Sequence, residues 1–266
     1  TSDTDEIRVD IDFEVPLFRI TNLDTGDKYN YIQTAIDNAT EYDIIRLDPG
    51  DYRENIIINK DGIALRGYSA SDTTIKVEES GSDSPPFSSP PIFDEDLPAI
   101  VIIADNVVVE NLAISGFSSG ILVNNSMGAF IQNLVVTDIL SIGIHNHESV
   151  DTIITDLYIT GDSDGIGILS SQSSDNLELS DTFISGYLVG VQISSSGASI
   201  ENINSSLNDN YGLVVTGVSI DISDSTFNEN GINGISLSGL TSATLTDNTV
   251  SDNGNAEIRI VSSFNI

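Results

Sequence analysis

The chain has 266 residues, with 41 acidic against 9 basic side chains and a formal charge of −32. That balance excludes nucleic acid as an expected partner, because phosphate binding needs Lys and Arg to displace counterions, and it disfavours an anionic membrane surface for the same reason. With no cysteine, disulfides and zinc–thiolate sites are excluded, and no run of 18 apolar residues is present to span a bilayer. Two readings of the acidity remain: a solvated surface suited to high salt, where screening tolerates self-repulsion, and calcium sites, since hard cations take carboxylate oxygens. The first ranks ahead. The chain opens at Thr1 without a methionine, a start that either a cleaved export signal or a trimmed end would produce.

Glu6 to Phe18 alternates apolar and polar residues. Ile7, Val9, Ile11, Phe13, Val15 and Leu17 fall on one side of an extended strand, with no hairpin partner nearby. Residues 1–29 are therefore read as a strand segment that either lies along its own domain or crosses to complete another molecule's sheet. Ile32, Ala35, Ile36 and Ala39 fit one apolar side of a short helix. Asp48-Pro-Gly-Asp51 reads as a turn. Short β-rich segments follow at Ile56–Ile58, Ile63–Leu65 and Thr74–Val77. Residues 78–98 break the rhythm: five of the seven prolines lie there with six acidic residues, which marks an acidic loop inserted into one turn. From Ala99 onward there is no proline, consistent with uninterrupted strands.

Beyond the loop the chain repeats. A glycine before an apolar alternation recurs at Gly120, Gly143, Gly167, Gly190, Gly212 and Gly234. A second marker, apolar–polar–Asn/Asp, ends at Asn111, Asn133, Asp156, Asp181, Asn202, Asp224 and Asp247 with nearly the same period of about 22–24 residues. Neither a helix nor a hairpin meander suits that rhythm. A coil does: each repeat is one full turn, parallel strands stack about 4.8 Å apart, and inward Ile, Val and Leu form ladders. Asn and Asp at the bends tolerate left-handed backbone. No turn can bury its apolar side alone, so neighbours stabilise one another.

Ile32 to Gly67, "IQTAIDNATEYDIIRLDPGDYRENIIINKDGIALRG", resembles the opening of the pectin-lyase-like right-handed parallel β-helix superfamily, and the later turns resemble the generic repeats of that superfamily and of NosD-like proteins. The resemblance spans about Ile32 to Asn255. It implies an all-β solenoid over residues 30–266 with a short N-terminal capping helix. It implies no particular activity, because the superfamily holds lyases, hydrolases, esterases, tail spikes, adhesins and inert scaffolds.

The chemistry-bearing residues are few. His145 and His147 lie one turn before Asp162-Ser-Asp164-Gly165, and His with Asp can serve acid–base work or hold a metal. Asp162, Asp164, Asp94 and Asp96 are the candidate calcium ligands, although Asp162 to Gly165 lacks the remaining carboxylates of a calcium loop. After Lys76 the only basic residue is Arg259. The arginine or lysine that lyase-like, methylesterase-like and polygalacturonase-like sites use is thus missing from the central coil, and no catalytic residue carries over from the superfamily. The triplets Asn38-Ala-Thr40, Asn124-Asn-Ser126 and Asn204-Ser-Ser206 fit the glycosylation pattern, which Asn/Ser-rich chains often match by chance.

The last turn, Ala256 to Ile266, stops without an amphipathic helix to cover it. An open coil end invites another chain, and Ile258, Ile260, Phe264 and Ile266, together with the Ile7–Leu17 strand, are the expected assembly residues. The expectation is a non-enzymatic, extracellular or cell-surface β-helix that polymerises head to tail into a filament, sheath or matrix, with calcium as its one candidate ion. A carbohydrate-active β-helix, whether lyase, hydrolase or glycan-binding module, is the alternative. The shortage of aromatic platforms (no Trp) weighs against it.

Overall fold

The computed structural model describes residues 19–77, 94–171, 173–217 and 219–261. The 7–17 strand, Phe264 and Ile266, and most of the proline-rich loop lie outside the described residues.

The chain winds through nine levels of a parallel sheet. Its strands are Ile56–Ile58, Pro98–Ile102, Ser119–Asn124, Ile142–His147, Ile166–Ser170, Val189–Ile193, Tyr211–Thr216, Asn233–Ser238 and Ala256–Val261, in that spatial order. Between levels the chain returns through a second, 17-stranded set. Consecutive levels pair in register: Ile100, Ile121, Ile144, Ile168, Val191, Leu213 and Ile235 stand one above another, all with no exposed surface. A second column, Ile45, Leu65, Val109, Ile131, Ile154, Leu179, Ile200 and Ile222, runs through the 17-stranded set. Each such side chain contributes about 1.5–3 kcal/mol on burial. The expected stacked coil is therefore what forms.

Both sequence markers have a backbone cause. All seven Asn/Asp markers, from Asn111 to Asp247, sit in the left-handed region with φ between 48° and 62°, where Asn and Asp are the side chains best tolerated. Their amides bond from level to level: Asn133 Nδ2 donates to Asn111 Oδ1 at 2.6 Å, and Asn202 Nδ2 to Asp181 Oδ1 at 2.6 Å. The glycine column answers a different need. A Cβ on Gly120 would lie 2.3 Å from the Gly143 carbonyl oxygen, and one on Gly143 2.5 Å from that of Gly167. Here the backbones of successive levels approach too closely for any side chain.

The interior is not wholly apolar. Asn208, Asn230 and Asn253 stack along the last three levels: Asn208 Nδ2 donates to Asn230 Oδ1 at 3.0 Å and Asn230 Nδ2 to Asn253 Oδ1 at 3.1 Å. Backbone N–H groups of Asn208 and Asn230 donate to the same oxygens. Above them the buried Tyr187 donates its N–H to Asn208 Oδ1. A second buried cluster joins Asn146, Thr152, Ser170 and Ser195 through side-chain hydrogen bonds. Each of these groups has a partner, as burial demands.

At the first level the chain makes a short helix, α1 (Ile32–Asn38), with Ile32, Ala35 and Ile36 fully buried. It packs on the strands Ile20–Asn22, Lys28–Tyr29, Ile44–Leu47 and Ile56–Ile58. Glu54 is buried under its N-terminus and accepts hydrogen bonds from the Ile32 and Gln33 N–H groups at 2.7 and 2.9 Å. Burial raises the Glu54 carboxyl above its ordinary value, and those two bonds pull it partly back. Gln33 serves as a strand partner in miniature: its Oε1 accepts from Ile57 N–H and its Nε2 donates to Ile57 C=O. Ile20–Asn22 covers the edge of the other sheet by antiparallel pairing with Ile44–Leu47.

Candidate functional site

The last described level is built differently. Ile258 and Ile260 continue the inward columns of Ile235 and Leu237. The upper pair is fully buried, whereas Ile258 is 42% and Ile260 47% exposed. Ala243, Leu245 and Val250, on the returning strands of the same end, are only partly buried. Among the described residues Ala256–Val261 is thus the last strand of its sheet and carries half-exposed apolar side chains, and an apolar strand at the end of a sheet is a surface to which another strand can add.

His145 and His147 project from the outer side of the nine-stranded sheet, with ring centroids 5.3 Å apart. His145 is flanked in register by Leu122 and Leu169. Burial, and then the neighbouring His147, hold its pKa below the ordinary histidine value, so it is neutral at neutral pH. His147 Nδ1 is 2.9 Å from Ser171 Oγ, and its Nε2 lies 3.8 Å from Glu148. The two aspartate pairs are exposed and lie before different strands, Pro98–Ile102 and Ile166–Ser170. Two strands intervene, so the pairs are three levels, about 14 Å, apart. Asp164 precedes Leu169, the register partner of His145, by five positions. Asp162 and Asp164 therefore precede strand Ile166–Ser170, whereas His145 and His147 lie in the C-terminal half of strand Ile142–His147. Among the described residues no group of three or more His, Asp or Glu side chains converges as a metal cage would.

Two features were not singled out from the sequence. An open cleft of about 560 Å³ lies at the end of α1, lined by Ala39, Thr40, Glu41, Tyr42 and Lys60. Tyr42 has φ +69°, unusual for a bulky residue, and is 65% exposed. Its ring lies over Gly62, where a Cβ would come within 2.1 Å of it. The only sequence signal was that glycine, one level away. On another face Tyr158 and Phe183 stack in register, with centroids 5.0 Å apart and planes 8° from parallel.

Set against known proteins, residues 119–266, more than half of the chain, match the family model described as the right handed beta helix region. A stretch of 116 residues, 43% of this chain, is 32% identical to a protein of Methanothermus fervidus named cell surface glycoprotein, and the match spans 16% of that relative's length. Among solved structures, the A-module of the Azotobacter vinelandii mannuronan C-5 epimerase AlgE6 superposes with a TM-score of 0.62 at 15% identity, over 86% of this chain and 74% of that one. PfbA, a surface adhesin of Streptococcus pneumoniae, gives 0.60 at 10% identity, over 88% and 73%. At such identities the structural likeness is one of fold alone. No described helix is long and apolar enough to cross a membrane. By the extent of the family match and the register of its levels, the chain belongs to the right-handed β-helix family.

Proposed function

We propose that this chain is a structural β-helical module of an extracellular or cell-surface assembly, a filament, sheath or matrix, that packs end to end through its last turn. The exposure of Ile258 and Ile260, in columns otherwise fully buried, carries the reading. The relative named cell surface glycoprotein supports the location, and the structural likeness to an adhesin is compatible with it. The Ile7–Leu17 strand is the proposed donor from a neighbouring copy, with the exposed pairs Asp94/Asp96 and Asp162/Asp164 as calcium ligands that temper the repulsion between acidic copies. The test is sedimentation and electron microscopy of concentrated protein in molar salt with calcium. The expected outcome is end-to-end polymers, abolished by Ile258→Lys with Ile260→Lys or by deleting residues 1–17, while circular dichroism keeps its β signature. A strictly monomeric wild type would overturn the proposal.

A glycan-binding role is the second reading, favoured by the Tyr158–Phe183 stack on the outer surface, since flat aromatic faces suit sugar rings. A glycan array with a Tyr158→Ala control, paired with a reducing-sugar assay, tests it. Binding lost in the variant supports it, and silence in both assays removes it.

A further inference from the structure

Three Asn-x-Ser/Thr triplets occur in the chain, and the fold treats them unequally. In the Asn124 triplet, Asn124 is a half-buried strand residue paired in register with His147. The hydroxyl of Ser126 is buried and donates to the Ala104 carbonyl at 2.6 Å. In the Asn204 triplet, Asn204 is again within a parallel ladder, its Oδ1 is buried, and Ser206 is buried with its oxygen accepting from Asn228 N–H. In both triplets the asparagine is only half-exposed and the hydroxyl-bearing serine is buried.

Asn38-Ala-Thr40 is different. Asn38 is the last residue of α1 and is exposed. The next residue, Ala39, has already left the helix, with φ −68° and ψ 160°, so the triplet bends away from the helix axis. The Asn38 amide makes one exposed hydrogen bond, to the Thr34 carbonyl at 2.8 Å, a bond that water readily replaces. The backbone around it is held firmly. Lys60 Nζ donates to the carbonyls of Ile36, Asp37 and Ala39 at 2.7–3.0 Å, and Asp43 accepts from both the N–H and the hydroxyl of Thr40. Beside the triplet opens the 560 Å³ cleft, with the projecting Tyr42 ring as one wall. A sugar attached to Asn38 would find in this open depression an aromatic face for its C–H side and the Glu41 carboxylate for its hydroxyls.

We propose that Asn38 is an N-glycosylation site and that the cleft seats the first sugar. In the transfer, an Nδ2–C1 bond forms, the C1–O bond to a lipid-phosphate-linked oligosaccharide breaks, and the departing phosphate keeps the electron pair. The Nδ2 proton passes to the transferase or the leaving group, and no atom changes oxidation state. The proposal rests on the surface location given above, and the experiment separates the two. The folded chain is incubated with a purified transferase for Asn-x-Ser/Thr triplets and its lipid-linked donor, and peptides are then read by mass spectrometry. In parallel, protein isolated from the native cell surface is mapped the same way. The expected result is a glycan on the Asn38 peptide at several-fold higher occupancy than on the Asn124 or Asn204 peptides. The signal is lost in Asn38→Gln and retained in Thr40→Ser, with unchanged circular dichroism. Tyr42→Ala keeps the modification but leaves the glycan open to trimming by glycosidases that spare the wild type. An unmodified Asn38 in folded protein, with a control peptide modified in the same tube, overturns the proposal, as does equal occupancy at Asn204. A modified Asn38 on protein absent from the surface overturns the location and leaves the site standing.

Discussion

At the first level of the nine-stranded sheet, Ile56 and Ile58 are fully buried and Gln33 bonds to both backbone groups of Ile57. At the last, Ile258 and Ile260 occupy the same two columns and stand nearly half exposed, on a terminal strand. The two ends have the same apolar residues, so composition does not distinguish them. What differs is whether something else in the chain satisfies the edge. At the start, a helix, a glutamine that mimics a strand and an antiparallel segment all do so. Among the described residues the two ends of the nine-stranded sheet therefore differ in what contacts them, not in what they are made of.

Ile144→Ala, in the middle of a buried column, should cost about 2–5 kcal/mol through lost transfer energy and the cavity left behind. Ile258→Ala should cost under about 1 kcal/mol, because that side chain is already half in water. Denaturant unfolding of dilute protein measures both. Equal costs would mean that the last turn is covered in solution, contrary to the asymmetry. Asn230→Ala comes next. It strips the Asn208 amide and N–H of their acceptor in the buried stack, at about 1–3 kcal/mol, and the midpoint of the same transition should report it.

At the end that carries α1, Glu54→Gln and Asp43→Asn should act with opposite pH signs. The Glu54 carboxyl is raised by burial. Its stabilising contribution is present below the ordinary glutamate value and fades as pH climbs through the folded value, so Glu54→Gln should flatten that decline. Burial also pushes the Asp43 carboxyl upward, but hydrogen bonds from Asn22 and Thr40, with the charge of Lys60, outweigh it and set it below its ordinary value. Its contribution is present above the ordinary aspartate value and is lost as pH falls through the folded one. Asp43→Asn should therefore soften acid unfolding. Thermal melts across pH 2–7 (a range set by carboxylate titration) test both, and identical profiles in variant and parent would refute the assignments. The smallest effect should come from Asp156→Asn. Asp156 stands one level above Asp181 in the bend column, carboxylate over carboxylate, whereas Asn202 below donates to Asp181. Supplying a second amide should stabilise the coil by about 0.2–1 kcal/mol, more at low salt than at high. A loss of stability would count against the repulsion.

The levels were legible in the sequence because glycine and Asn/Asp report backbone needs directly: Gly143 leaves no room for a side chain, and Asn133 turns left-handed. The short helix was legible from the spacing of Ile32, Ala35 and Ile36. The partners of the interior polar residues were not. Nothing local tells the buried Asn208 from the half-buried Asn210, or shows that Gln33 will bond to Ile57, since each contact joins residues 22–24 positions apart. The relative placement of the histidines and aspartates was hidden for a related reason. The repeat gave the level of His145 and of Asp164, but not their positions along the turn, and the register sets Asp164 five residues before the partner of His145. Tyr42 left only an indirect sign, Gly62 one level away, which makes room for its ring.

The asparagine stack has one more effect. Columns of Ile, Val and Leu look alike from any level, so sliding one part of the coil by a whole turn would change little in the oily contacts. Such a slip at the Asn208, Asn230 and Asn253 stack would shift the amides off their present acceptors and leave at least one buried amide or backbone N–H without its partner. The stack thus penalises a misaligned turn that the oily columns alone would tolerate.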